Sequence, residues 1–320
     1  MATPSLPPAD TSPEGPHPQA PDNKKLQLMT GRDRLVLAFM VGIPAIFVLG
    51  FVWVPALISV VLSFTRWNGI GPVSDIQWIG FQNYTDLVTI YPQFLPAVSN
   101  NLLWLAVFFF IATPLGIFMA TLLDREVRGT AFFQSALYLP VVLSLALIGF
   151  IWQLIYSRDQ GLLNAMLGLD GTARIDFLGD ADINIYFVLI AASWRHVGYI
   201  MLLYLAGLKG IDPALREAAS MDGAGEVRTF FSVIFPAMKP INVVVLVITV
   251  IESLRAFDIV WVINKGTNGL EILSALVVSN VIGEASRVGF GSAIATILLI
   301  ISLVFIVIYM ISIYREDSPK

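Results

Sequence analysis

Six stretches of this chain, residues 35–64, 97–123, 131–156, 183–208, 241–264 and 289–314, are almost continuously apolar. Each offers the roughly 20 residues that a helix needs to cross a bilayer. Hydrocarbon has no partner for a peptide N–H or C=O, so an open chain crosses it only as helix, which closes every backbone hydrogen bond within its own segment. Composition points to the same solvent. Of the 320 residues, 57% are hydrophobic and 13% charged, where a water-soluble domain carries about a quarter charged. The mean hydropathy is +0.78. The expected fold is an all-α membrane protein with six transmembrane helices. Pro44, Pro55, Pro114 and Pro140 fall inside apolar runs. They are expected to kink or interrupt the helices, because proline lacks an N–H and crowds the preceding turn.

Ahead of the first run, the opening 25 residues hold seven prolines and few large apolar groups. Such a segment buries too little surface to offset its ordering entropy, so residues 1–30 are expected to be a disordered tail. The first apolar run begins only at Leu35, too far in, and it is too long, for the core of a signal peptide. Positive charge sets orientation in a membrane. With the N-terminus inside, the inner segments hold Lys24, Lys25, Arg32, Arg34, Arg125, Arg128, Lys209, Arg216, Arg228, Lys239, Arg315 and Lys320. The outer loops then hold only Arg66, Arg158, Arg174, Lys265 and Arg287, and one of them adds Asp159, Asp170, Asp176, Asp180 and Asp182. Trp67, Trp78 and Tyr84 flank the first outer loop, as an interfacial aromatic belt does. Both termini are expected in the cytoplasm.

Several chemistries are excluded by residue content. There is no cysteine, so disulfides, thiol catalysis and thiolate metal sites are absent. His17 and His196 are the only histidines, which leaves no histidine metal cluster within the chain. No G-x-x-x-x-G-K-[ST] loop occurs for ATP, and no basic tract suits a nucleic-acid backbone.

The inner loop between the second and third runs is short, Asp124-Arg125-Glu126-Val127-Arg128-Gly129-Thr130. The one between the fourth and fifth, 209–240, is long and patterned. Asp212 can cap a helix and Pro213 suits its first position. The helix then reads Ala214-Leu215-Arg216-Glu217-Ala218-Ala219-Ser220-Met221. Asp222-Gly223 can end it, with glycine free to take positive φ. A second helix is predicted over 226–235, stopping at Pro236. Phe230, Phe231, Ile234 and Phe235 give it an apolar face. Ala218 and Ala219 let another surface approach closely, and Glu217 and Asp222 offer fixed negative charge. A plain interfacial helix pair on the membrane is the alternative, although such helices favour basic and bulky residues.

This loop resembles the EAA motif of type I ABC importer permeases, E-A-A, three residues, G, nine residues, I, one residue, L-P. Glu217-Ala218-Ala219 and Gly223 stand at the required spacing, with Val233 at the isoleucine position and Phe235-Pro236 at the leucine–proline position. Asp222-Gly223-Ala224 looks like the carbohydrate-uptake branch, the maltose/glycerol-phosphate permease-like family. So do Trp78-Ile79-Gly80-Phe81-Gln82-Asn83-Tyr84, Gly161-Leu162-Leu163-Asn164, Leu205-Ala206-Gly207-Leu208 and Phe257-Asp258. Where relatives show T-x-G-G-P, this chain has Asn264-Lys265-Gly266-Thr267-Asn268-Gly269.

The resemblance implies a MetI-like, type-1 transmembrane domain over 97–314, preceded by a first helix and outer loop over 31–96 and followed by a cytoplasmic end, 315–320. It implies a bacterial inner-membrane, non-catalytic transport subunit that pairs with a second permease, usually a different chain. Two ATPase subunits carry the ATP and Mg, and this chain has no cofactor. An extracytoplasmic binding protein delivers the sugar or polyol. In that frame Ala218, Ala219, Gly223 and Ala224 serve close approach and turn geometry. Glu217 and Asp222 hold the two short helices together or pair with basic groups on the ATPase. Phe230 and Pro236 anchor the second helix under the bundle.

Ionisable residues inside spans are costly and usually functional. Arg195 lies roughly 18 Å along the fourth span at the helical rise, and Glu252 lies at similar depth in the fifth. Arg255 and Asp258 follow Glu252 on what is read as the same helix. Two readings stand. These four, with Trp194, Tyr199 and Trp261 as stacking surfaces, line a substrate pathway; or Arg195 pairs with Glu252 to knit two helices without meeting solute. The four charges sum to zero, which favours a neutral solute over a phosphate or carboxylate. Among other functions, import of an amino acid, peptide, glycerol phosphate or ion by the same machinery remains open. An ion-coupled carrier would show internal repeats, and none is seen. An intramembrane enzyme would need a nucleophile–base set or metal cluster, which the residues do not supply.

Overall fold

The structure, a computed structural model, describes residues 30–125, 129–283 and 286–316. The expected tail therefore lies outside the described residues except for Thr30, as do His17, Lys24, Lys25, Arg128, Lys320 and the end of the 315–320 segment. The chain divides into two units, Met1–Pro55 and Ala56–Lys320.

In the first unit, helix α1 spans Gly31–Val48. Thr30 accepts a hydrogen bond from the Asp33 N–H, and the Asp33 carboxylate accepts from the Thr30 N–H in return. This reciprocal capping box satisfies two donors that the helix start would otherwise leave open. Pro44 lies inside α1 without ending it, and no residue of α1 is buried. A π turn, Leu49–Trp53, follows, and helix α2, Val54–Leu62, leads into the second unit.

After α2, strands β1 (Thr65–Arg66) and β2 (Gln77–Trp78) pair antiparallel ahead of helix α3, Gln82–Thr89. The Asn83 side chain, 5% exposed, donates to the carbonyls of Ser63 at 2.8 Å and Thr65 at 2.9 Å. The Tyr84 hydroxyl meets the Ser63 hydroxyl at 2.6 Å. Asn83 thus satisfies two carbonyls in the segment between α2 and β1, and Tyr84 pins the same segment through the Ser63 hydroxyl. Replacing Asn83 with leucine keeps the volume and strands both acceptors. A loss of about 2 kcal/mol is expected, read as a lower thermal-unfolding midpoint of the purified protein with unchanged helix content.

Helix α4 (Phe94–Val107), a π turn (Phe108–Ala112) and α5 (Thr113–Asp124) form one long span. Helix α6 (Thr130–Val142) and α7 (Leu145–Tyr156) follow. The short α8 (Leu162–Met166) begins the acidic loop. There Asn164, 2% exposed, donates to the Ile175 carbonyl at 2.9 Å and accepts from its N–H at 3.1 Å. Helix α9 (Asn184–Lys209) is an unbroken span. The elbow holds α10 (Pro213–Met221), α11 (Glu226–Thr229), a π turn (Phe230–Ile234) and α12 (Phe235–Ala237). Then come α13 (Lys239–Leu254), α14 (Asp258–Asn264), α15 (Leu273–Val281) and α16 (Val288–Glu316).

The expected six spans appear as four straight candidates and two bent pairs among the described residues. The third run is not one helix: α6 and α7 meet at 106°. Pro140 lies two residues before α6 ends, and Ser144 then caps α7 by accepting from the Leu147 N–H at 3.2 Å. A second correction concerns the other prolines. Pro55 and Pro114 do not break their helices, and Pro236 does not stop the second elbow helix, which runs on to Ala237. Each is the second residue after a π turn. A widened turn accommodates the ring and the missing N–H that an α turn cannot.

Three apolar clusters hold the second unit. One joins α4, α7, α9 and α14 around Trp104, Phe108, Ile148 and Ile259. Another joins α5, α9, the elbow and α13 around Ala120, Tyr204, Ile234 and Met238. The third joins α3, α4, α15 and α16 around Leu87, Phe94, Leu276 and Ile294. Helix α5 approaches α9 closely at Gly116, where a Cβ would stand 2.8 Å from the Ile200 Cβ and 2.9 Å from the Val197 carbonyl.

Candidate functional site: the elbow and the mid-span polar groups

Helix α9 ends at Lys209, and the chain turns into the elbow through Gly210. Asp212 caps α10, accepting from the Ala214 N–H at 2.9 Å, and Pro213 takes the first helical position. At the other end the Gly223 N–H donates to the Ser220 carbonyl and the Ala224 N–H to the Ala219 carbonyl, both at 3.0 Å. This pair of bonds is a Schellman cap, which needs a left-handed residue at its turn. Gly223 supplies it with φ +73°, and a Cβ there would meet nothing within 4 Å. The four-residue step from Ala219 to Gly223 is thus the step from the last paired carbonyl to the left-handed residue that closes the helix.

The two alanines face opposite ways. Ala219 is 6% exposed and packs inward, while Ala218 is exposed. Around Ala218 the outer surface presents Glu217, Asp222 and Met221, the last 88% exposed. Small and apolar groups rimmed by two carboxylates suit a close-fitting protein groove better than a lipid surface. Ala224 and Phe230 are half-buried and Pro236 is exposed. The second helix is held to the bundle by Ile234 and Met238, with Phe230 and Phe235 packed beside them. Asn242 ties its end by donating to the Phe235 carbonyl at 2.8 Å.

Among the described residues, neither Glu217 nor Asp222 joins the two short helices. Two other ion pairs reach them. Arg216 of α10 meets Asp124 at 2.7 Å, and Glu226 of α11 meets Arg125 at 2.7 Å.

Halfway along the spans, Arg195 of α9 meets Glu252 of α13 at 3.2 Å, their side chains 23% and 30% exposed. Arg255 and Asp258 are not on the same helix. α13 ends at Leu254, Arg255 caps it and Asp258 opens α14. A cation at a helix C-terminus and an anion at the next N-terminus each complement the helix dipole, which gives the break an electrostatic cause that apolar periodicity hides. The freed Ala256 carbonyl accepts from the Ser274 hydroxyl at 2.8 Å. Arg255 and Asp258 are both exposed, and Tyr199 is half-buried. Trp194 meets Trp152 edge-on at 5.9 Å, and Trp261 stacks on Phe257 at 5.1 Å. Arg195 Nε, Ser193 Oγ and Trp152 Nε1 are buried without a hydrogen-bond partner among the described residues. His196, by contrast, is absorbed by the core. It stacks on Phe108 at 4.2 Å and lies within 3.3 Å of the Thr113 hydroxyl and 3.4 Å of the Thr249 hydroxyl.

Residues 112–315 match the family of inner-membrane components of binding-protein-dependent transport systems. This chain belongs to that family. The permease is 32% identical over 275 residues to a probable ABC transporter permease, YurN, of Bacillus subtilis, covering 84% of this chain and 92% of the relative. It is 32% identical over 260 residues to the xylose/arabinose import permease XacH of Haloferax volcanii, covering 80% and 81%. It is also 32% identical over 321 residues to the diacetylchitobiose uptake permease NgcF of Streptomyces coelicolor, covering 94% and 89%. A chain of a bacterial ABC transporter that imports the acidic polysaccharide alginate shares the fold with a TM-score of 0.74. The two are 23% identical, and the match covers 90% of the permease and 97% of that chain.

Sequence reasoning passed over Asp124, Arg125, Arg216 and Glu226 as site residues in this permease. The signal was present in one respect. A carboxylate at the last position of an apolar span opposes the helix dipole, and such a group asks for a partner.

Proposed function

We propose that this permease forms half of the translocation pathway of an ABC importer for a neutral sugar or polyol. The observation that carries the reading is the elbow, a rigidly capped, outward-facing helix with a small-residue surface. A second permease, a different chain, forms the other half. Two ATPase subunits, which hold the ATP and Mg, receive the elbow from the cytoplasm, where both termini also lie. An extracytoplasmic binding protein delivers the solute from the other side. The elbow is fixed to α9 through Gly210 and to α13 through Met238, so closure of the ATPase pair on it moves both helices. Arg195 and Glu252 stand on those two helices, and their separation changes with the stroke.

The neutral solute is supported by the pathway groups. Arg195 and Glu252 form an ion pair whose charges cancel, which leaves no surplus charge for an anionic solute. The relatives named for xylose/arabinose and diacetylchitobiose uptake take neutral sugars. The test is uptake by the complete transporter in proteoliposomes with its binding protein. Neutral mono- and disaccharides are expected to accumulate only with ATP, and sugar phosphates to be ignored. Accumulation of a sugar phosphate or an amino acid alone would overturn the solute class. ATP-independent uptake would overturn the importer.

A further inference from the structure

We propose that Asp124 and Arg125, at the end of α5, are positioning residues for energy coupling: a two-armed clasp that ties both helices of the elbow to the second membrane span. The proposal rests on the elbow being the contact with the ATPase.

Asp124 is the last residue of α5, where the helix dipole disfavours an anion. Its side chain is 12% exposed, so water gives it little compensation. Its ion-pair partner among the described residues is Arg216, 92 residues further along the chain, at 2.7 Å. The next residue, Arg125, reaches Glu226 at 2.7 Å. That second pair is exposed, 55% and 77%, and worth little in stability by itself. What matters is the placement. Adjacent residues of one helix end grip α10 on one side of the Gly223 turn and α11 on the other. Helix α5 in turn lies against α9 at Gly116, and Ala120 is fully buried between them. Without the clasp, the elbow is joined to the bundle by its two chain ends, the buried Ala219, the apolar contacts of Ile211, Phe230, Ile234, Phe235 and Met238, and the Asn242–Phe235 hydrogen bond, none of which reaches α10 and α11 from one helix end. With it, a push on α10 also reaches α5, and the α5–α9 pair moves as one body.

The experiment uses the complete transporter in proteoliposomes and reads solute taken up per ATP hydrolysed. Asp124→Arg alone and Arg216→Asp alone are expected to lower that ratio at least tenfold. ATPase subunits are expected still to co-purify with the Asp124→Arg transporter, because Asp124 lies off the exposed elbow face. The exchanged pair, Asp124→Arg with Arg216→Asp, is expected to recover at least half of the wild-type ratio. A purely structural role would lower the amount of assembled transporter and leave the ratio alone. If reversal prevents assembly, Asp124→Asn and Arg216→Gln are read in the same way, with a fall in the ratio of at least threefold expected. An unchanged ratio in the single variants, or no recovery in an assembled exchanged pair, overturns the clasp. Should that happen while Gly223→Val still lowers uptake, the elbow remains the coupling element. If Gly223→Val is also without effect, the coupling reading itself falls.

Discussion

Valine at position 223 is expected to leave the permease inserted and assembled but to lower solute uptake about tenfold or more. The cause is backbone geometry alone. Gly223 sits at φ +73° with open space where a Cβ would be, so nothing within the chain clashes. A left-handed conformation costs an ordinary L-residue roughly 1–2 kcal/mol, and a β-branched one more. The turn relaxes, the Ser220 and Ala219 carbonyls lose the donors of the cap, and α10 frays at its exposed end. A shift of that size lowers the population of the docking-competent elbow about tenfold or more. Asparagine tolerates the left-handed region, so Gly223→Asn is expected to retain most uptake. The measurement is initial uptake rate, normalised to transporter recovered from the membrane. Full uptake by Gly223→Val would refute coupling through this turn. Equal loss in both variants would place the constraint in the partner's surface.

The second large effect lies at the mid-span pair. Removing one member of a buried ion pair costs about 3–5 kcal/mol, because the survivor stays buried and unpaired. Arg195 and Glu252 are 23% and 30% exposed, and water reaching them screens part of that cost, which brings the expected loss for Glu252→Ala to about 2 kcal/mol. Replacing both by methionine removes the uncompensated charge. That variant is expected to unfold near the wild-type temperature, yet to transport no solute. The two readouts separate the readings left open by the sequence. Wild-type stability with lost uptake assigns the pair to the pathway; wild-type stability with normal uptake makes it a helix tie.

Legibility followed the range of the interaction. The elbow was readable because its determinants are local. Asp212, Pro213 and Gly223 act on backbone groups within a few residues, and the cap spacing is fixed by helix geometry. The spans were readable because hydrocarbon imposes a length and a polarity. The 106° fold between α6 and α7 was not, since apolar residues fill both arms and the corner alike. The break at Arg255 was hidden for the same reason, although the cation-then-anion order around it was a usable sign. Of the long-range pairs, Arg195–Glu252 was legible because two opposite charges at similar depth in apolar spans call for each other; the others were not. Nothing near Arg216 in sequence names Asp124, and nothing near Asn100 announces that its amide donates to the carbonyls of Gly269 and Glu271.

The π turn at Phe108–Ala112 also has a consequence for anyone drawing a helical wheel through 94–124. The inward residues of this span, Trp104, Phe108, Ala112, Gly116 and Ala120, advance by steps of four. At 3.6 residues a turn, sixteen residues taken that way would drift about 160° around the axis. One surplus residue in the wide turn takes back about 100° of that phase, and the stripe stays aimed at its neighbours. A single wheel fitted to the whole span therefore places the half beyond the bulge about 100° out of phase. Cysteine-scanning or lipid-facing designs on this helix need two wheels, joined at Ala112.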